Sequence, residues 1–349
     1  MKKQKNLFEK ITFILPILER KKFSLRIVRY LSKLNFKINI IIADGSKKNQ
    51  EKYFLTLKKK HNLIFKKFPY DKNPFYFLVK LYKSTNLVHT KYTAFMENDE
   101  IINFENYKFL VNFMEKNPRF TYTTGKIINF DLTKENNIVI AKKQCHDSFG
   151  ELYKSSFHLN SQPQCVEGVH KTKNFNLSLK YVLKSTDKKI DMVSFSDFLN
   201  IFTVAQGDVK FFQNKTISFR QANTKFYDEN DKISAGAALA KVNKLRTILY
   251  FKSLKYHVEM YKILIKIIGK NLKIMFIKYH LKRVLIILYL DLKKILKFII
   301  KIFSFKNLNN KNRINLASKS FSEITIYGYN YLNKIEKNKI KKILKYFYI

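Results

Sequence analysis

The chain has 349 residues, 46% of them hydrophobic and 15% aromatic, with no Trp, a composition that supports a large packed core and excludes a globally disordered protein. Its 68 Lys and Arg against 26 Asp and Glu give a formal net charge of +42, which favours anionic partners such as nucleic acid, acidic lipid or phosphate-bearing substrates. AT-rich codon usage is an equally plain source of that lysine, so charge alone names no partner. Cys145 and Cys165 are too few for a disulfide framework and lack metal-ligand spacing, as expected in a reduced, intracellular compartment. The basic start precedes only a short apolar run broken by Pro16, with no small-residue cleavage site, so no secretory signal is expected. In the C-terminal region Val284 to Leu290 is apolar over seven residues, where a spanning helix needs about 20.

In chain order, Ile11–Leu15 reads as a buried parallel strand ended by Pro16. Ser24 to Asn35 has helical spacing, with Ser24 as the expected N-cap. Ile38–Ala43 is a second strand, stopped by the turn cluster Asp44-Gly45-Ser46. A helix over Glu51–Lys60, a strand over Leu63–Phe68, a helix over Pro74–Leu87, a strand over Tyr92–Glu97 and a helix over Phe104–Lys116 follow. This rhythm predicts a doubly wound α/β sheet, which binds ligands beyond the carboxyl ends of its strands. Arg20, Asp44, Ser46, Asn98, Asp99 and Glu100 fall at those ends.

Tyr122 to Gln164 is polar and predicted partly antiparallel. Ser194–Val204 reads as a short helix, and Gly207–Phe219 as turn and strand. Beyond Ala240 the composition shifts: residues 241–349 hold 26 Lys and Arg against four acids, without Pro. The expected domains are therefore 1–240, an α/β domain, and 241–349, a basic amphipathic helical tail with a linker near Asn307–Arg313.

Four oxygen-bearing side chains in a row, Glu97-Asn98-Asp99-Glu100, are the clearest chemical signal in so basic a chain. At a strand end, residues one apart point the same way, so Asn98 with Glu100, or Glu97 with Asp99, can complete an oxygen shell around Mg²⁺ or Mn²⁺ with two phosphates. The plain alternative is an acidic loop favoured by the dipole of the following helix. Asp44 can accept hydrogen bonds from a uracil or ribose, with Ser46 assisting; the alternative is an ordinary Asx turn.

The order of these features resembles the opening of GT-A glycosyltransferases related to family two. Thr12-Phe13-Ile14-Leu15-Pro16 with Glu19-Arg20, then Ile40-Ile41-Ile42-Ala43-Asp44-Gly45-Ser46, look like its nucleotide pocket; Tyr92 to Ile102 looks like the strand running into its acidic metal motif. Glu167-Gly168-Val169-His170-Lys171-Thr172 is similar to a segment under the acceptor site, and Ser194 to Leu199 resembles the helix start that holds the catalytic base. The resemblance covers roughly Ile11 to Asn223. It departs from the family at Asn98, a weaker metal ligand than the usual aspartate, and at Ser196, where a second acid often precedes the base.

The resemblance implies a GT-A fold and transfer of a sugar from a nucleoside-diphosphate sugar to an acceptor hydroxyl, in cell-surface glycan synthesis. Pro16, Arg20, Asp44, Ser46 and Arg220 would bind the donor, Asn98, Asp99 and Glu100 a divalent metal, and Gly168 and His170 the acceptor. Asp197 would be the general base. The expected partners are the nucleotide-sugar donor and a glycan or lipid-linked acceptor, with an anionic membrane surface for the tail. The protein is then cytoplasmic and peripheral at the inner face of the membrane. Nucleic acid is the weaker partner, because no recognised binding motif is present. The alternative function is an inactive GT-A-like domain in a basic membrane- or nucleic-acid-binding protein. A nucleotidyltransferase would show a Gly-rich phosphate loop after its first strand, and Pro16 to Lys22 contains no Gly. A tail packed on the catalytic domain is the alternative to one lying on a membrane.

Overall fold

The computed structural model describes residues 7–132, 138–144, 151–152, 167–190, 192–221 and 246–268, with single positions between 274 and 296. Strands β1 (Ile11–Ile17), β2 (Asn39–Asp44), β3 (Asn62–Lys67) and β4 (Tyr92–Phe95) are parallel in the order β3-β2-β1-β4. The sheet continues through β9 (Val169–Lys171), antiparallel to β4, then β6 (Phe120–Leu132), β10 (Asp208–Gln221) and β5 (Glu100–Ile102). Two further strands, β7 (Ile138–Gln144) and β8 (Glu151–Leu152), pair with β6 and β10. The α/β fold is the one expected.

Both faces of the parallel part are covered, which is why β1 and β2 read as almost unbroken apolar runs. The two-residue period divides β1 between two cores: Ile11, Phe13, Leu15 and Ile17 enter one, Ile14 the other. The first core is closed by α1 (Lys21–Ser32) and α4 (Phe104–Lys116), with Phe104 edge-on to Phe13 at a centroid distance of 5.1 Å. The second is closed by α3 (Pro74–Thr85), α5 (Thr172–Ser185), α6 (Met192–Gln206) and α7 (Arg246–Ile268).

Several boundaries differ from expectation for local reasons. β1 runs through Pro16 to Ile17. Ile14 accepts the last ladder bond from Met96 at 2.9 Å, and Pro16, two residues on, turns its missing N–H to the same side, past the end of β4. No ladder bond is lost. Ser24 is not an N-cap: α1 begins at Lys21, with Arg20 as cap, and Ser24 N–H donates to the Arg20 carbonyl at 3.1 Å. The Glu51–Lys60 helix is a 3-10 turn, Glu51–Tyr53, followed by α2 (Leu55–Lys58), anchored by buried Phe54 and Leu57.

The core does not stop at residue 240. Tyr256, Met260 and Leu264 of α7 are buried among the α5 and α6 side chains, so the start of the expected tail packs on the α/β body. The expected linker at Asn307–Arg313 lies outside the described residues.

Glu115 of α4 ties this body to its N-terminal edge, accepting bonds from Lys10, Lys91 at 2.7 Å and Tyr92 at 2.8 Å. Burial opposes its ionisation, but those three bonds prevail and hold it down at about 2. The folded state thus favours the carboxylate. The stabilisation is complete above the ordinary carboxyl pKa of about 4.5 and is lost as pH falls towards about 2. Glu115→Gln is expected to lower stability by about 1 kcal/mol at neutral pH. Urea titrations at stepped pH should show the gap from wild type closing in acid; a gap that is constant down to the acid limit contradicts this assignment.

Candidate functional site

The loops after β1, β2 and β4 meet at the carboxyl ends of the strands. Asp44 folds the second of them. Its Oδ1 accepts from Ser46 N–H at 2.8 Å and its Oδ2 from Gln50 N–H at 3.0 Å, and the residue is fully buried. Its carboxylate thus folds the loop in the manner of an Asx turn, the alternative reading of the sequence. Ser46 is likewise buried, and its Oγ accepts from Glu19 N–H at 2.7 Å and from the Gln50 amide at 2.8 Å. It joins the β1 and β2 loops. Gly45 is required by close approach, since a Cβ there would meet Asp71 Cγ at 2.4 Å.

Under these loops lies a buried ion pair that the sequence did not reveal. Lys80 of α3 pairs with Asp71 and also donates to the Ile17 carbonyl at 3.1 Å. Burial pushes the Lys80 ammonium down and the Asp71 carboxyl up, each against the attraction of the other.

Glu19 and Arg20 have φ values of 53° and 38°, a left-handed pair without glycine. Glu19 is held there by its bond to Ser46 and by Lys47 N–H, which donates to Glu19 Oε1 at 2.7 Å. The strained pair aims Arg20 at the acidic segment, where its guanidinium donates to Asp99 Oδ2 at 3.2 Å and to Asn98 Oδ1 at 3.5 Å.

The acidic segment is a turn, not a strand end. β4 stops at Phe95, Glu100 N–H donates to the Glu97 carbonyl at 3.2 Å, and Glu100 opens β5. Alternation therefore does not operate, and neither expected register forms. Asn98 and Asp99 face Arg20, whereas Glu97 and Glu100 face Arg220 from β10.

Arg220 lies opposite Glu100 in the antiparallel β5–β10 pair and donates twice to its Oε1, at 2.8 Å through Nε. It also pairs with Glu167 and lies 3.6 Å from Glu97 Oε2. Its guanidinium is thus surrounded by three carboxylates. Desolvation, opposed by Arg220, raises Glu97 well above the usual carboxylate range and Glu100 to about 7. Burial works against the charge on Arg220, but the surrounding carboxylates more than offset it.

Glu167 is the site residue that sequence reasoning missed, although it opens the Glu167–Thr172 segment. The glycine beside it was the available signal. Gly168 has φ 140°, and a Cβ there would meet the Thr123 carbonyl oxygen at 2.5 Å. This backbone delivers the Glu167 carbonyl to Thr124 Oγ1, at 2.6 Å, and to the Tyr122 hydroxyl, while its carboxylate reaches Arg220. Gly168 thus acts through its backbone. His170 is placed in the core, ring to ring with Tyr122 at 4.4 Å and Phe175 at 4.2 Å. Asp197 is half-buried on α6, flanked by buried Phe195 and Phe198.

Two acceptor atoms of this cluster, Asp99 Oδ1 and Glu100 Oε2, are buried and have no hydrogen-bond partner. Among the described residues no three His, Cys, Asp or Glu side chains converge as a metal-ligand set. Two hard oxygen donors, with phosphate and water completing the shell, suit Mg²⁺ or Mn²⁺, which are commonly held by one or two carboxylates. The residues present fit the expected cation on those terms.

A parallel β3-β2-β1-β4 sheet, an antiparallel β9 beside it and an acidic turn leaving the fourth strand define the architecture. The fold is GT-A. No family model and no curated protein matches the chain. Among solved structures it is similar to S. aureus TarS residues 1–349, with TM-score 0.48 and 12% identity over 74% of this chain and 83% of that one. The complex of TarS 1–349 with UDP-GlcNAc gives TM-score 0.49 and 12% identity, covering 72% of this chain and 66% of that one. Another TarS crystal structure gives TM-score 0.46 and 13% identity over 62% of this chain, which spans 37% of that protein. Likeness at these identities says nothing of substrate.

Proposed function

We propose that this GT-A domain is a glycosyltransferase that moves a sugar from a nucleoside diphosphate to an acceptor hydroxyl. One observation carries the reading: two buried, unpartnered carboxylate oxygens, on Asp99 and Glu100, sit between two arginines at the carboxyl end of the sheet. Asp99 and Glu100 would hold a divalent cation, which stabilises negative charge on the departing diphosphate. Arg20, on its rigid left-handed turn, is assigned to the diphosphate. Arg220 keeps the carboxylates compact and correctly aimed. Asp197 takes the acceptor proton as the sugar bond forms. A glycan or lipid-linked acceptor, made into cell-surface polymer at the inner face of the membrane, is the setting we assign. No helix among the described residues is long and apolar enough to cross a membrane.

A thermal-shift series with uridine, guanosine, cytidine and thymidine diphosphates, with and without Mn²⁺, tests the donor site. One nucleotide should raise the melting temperature in a cation-dependent way, as binding to the folded state requires. Asp99→Ala should abolish the cation dependence. No shift with any nucleotide or sugar nucleotide removes the enzymatic reading and leaves an inactive domain.

A further inference from the structure

Beyond α7 the described residues between 274 and 296 are helical, and they carry a surface that the transfer chemistry does not use. Ile274, Ile277, Leu281, Leu285, Leu288 and Leu292 are all exposed, Ile274 to 69% and Leu285 to 66%. At 100° per residue these six fall within an arc of about 80°, an apolar stripe on the helical positions described. The side turned away from the stripe is fixed to the body. Phe276 lies 4.5 Å from the Tyr261 ring of α7, His280 lies 5.0 Å from His257, and Asp291 is buried. A soluble monomer rarely leaves so much contiguous apolar surface in water.

Charge decides what covers it. Lys278, Lys282 and Lys293 stand at one margin of the stripe and are exposed. Residues 270–297 contain eight Lys and Arg and one acid, Asp291, which is buried. A second copy would set lysine against lysine along the seam. An anionic bilayer supplies the opposite charge and an apolar boundary at the depth a helix face reaches. We infer that this stripe lies in the plane of an anionic lipid surface, with its leucines and isoleucines at the acyl boundary and its flanking lysines on headgroup phosphates. The inference deepens the membrane setting proposed above but rests on the helix alone, and it stands or falls independently of sugar transfer.

Sedimentation of the full chain with lipid vesicles tests it. The chain should bind vesicles containing one-third phosphatidylglycerol, and not vesicles of phosphatidylcholine alone. Binding should weaken as salt rises and leave a salt-resistant remainder. Leu281→Ser/Leu285→Ser/Leu288→Ser should remove that remainder and weaken affinity about 100-fold. Lys278→Glu/Lys282→Glu/Lys293→Glu should weaken low-salt binding by about 100-fold. Both sets alter exposed side chains, so unfolding midpoints should stay at the wild-type value, and each set tests the surface by itself. Wild-type affinity in both variants overturns the inference. So does a wild-type dimer that the serine variant dissociates, or a preference for single-stranded RNA over acidic vesicles at equal salt.

Discussion

Arg220→Met is expected to destabilise the protein by about 3–5 kcal/mol, because it strands carboxylates that the fold has taken out of water. Glu100 is fully buried and Glu167 nearly so, and both spend an oxygen on this one guanidinium. Methionine restores the volume but not the charge, so the loss is electrostatic. Its pH dependence follows from the sign of the shifts. Glu97 and Glu100 are raised even beside Arg220, and removing the cation raises them further. The folded variant then binds protons that the unfolded chain releases, so its stability falls as pH climbs from the ordinary carboxyl range past about 7. Urea denaturation from pH 5 to 8 should therefore show the deficit widening. Arg220→Lys, which keeps the charge and loses the fork, should fall between. A methionine variant within about 1 kcal/mol of wild type at every pH would falsify the caged-arginine account.

Asp197→Asn is expected to leave nucleotide binding within about twofold of wild type while lowering turnover about 100-fold or more, the scale of losing a general base. Asparagine matches aspartate in size and can donate and accept hydrogen bonds, but it does not take a proton at neutral pH. Buried Phe195, Phe198, Leu199 and Phe202 anchor α6 around the position, so the helix itself should be undisturbed. Calorimetry with the nucleotide and initial rates with the donor separate binding from chemistry. Unchanged turnover would assign the proton transfer to another group.

The sheet was legible because strands covered on both faces must be apolar along their length, and Ile11–Leu15 and Ile38–Ala43 are. Helix α3 was legible from Asn73-Pro74, where Asn73 Oδ1 accepts from Phe75 N–H at 3.0 Å and Pro74 needs no donor. The acidic segment was legible as chemistry and misread as geometry. Its turn at Asn98–Asp99 splits four side chains between two arginines, and no local pattern reports where Arg20 and Arg220 stand. Arg220 meets Glu100 across 120 residues and Glu167 across 53. Contacts of that span leave no periodicity to read. Asp44, Ser46 and His170 were chosen by residue type, and their burial against the fold's own groups is a tertiary fact that residue type does not carry. The opening helix of the basic tail shows the converse. Lysine frequency marked it as separate, while Tyr256, Met260 and Leu264 at turn-length spacing already described a face for a core.

Lys80 makes the interior of this domain observable by amine chemistry. A lysine only 1% exposed, with its ammonium pushed down by burial, is shielded from an acylating reagent while surface lysines react within the first exposure. Once the Asp71 pair opens, the same amine becomes accessible to the reagent, so its labelling rate counts excursions of the strand ends beneath the β1 and β2 loops. Occupancy of those loops from above should slow that clock. Mass spectrometry of one peptide would then report ligand capture without any assay of sugar transfer.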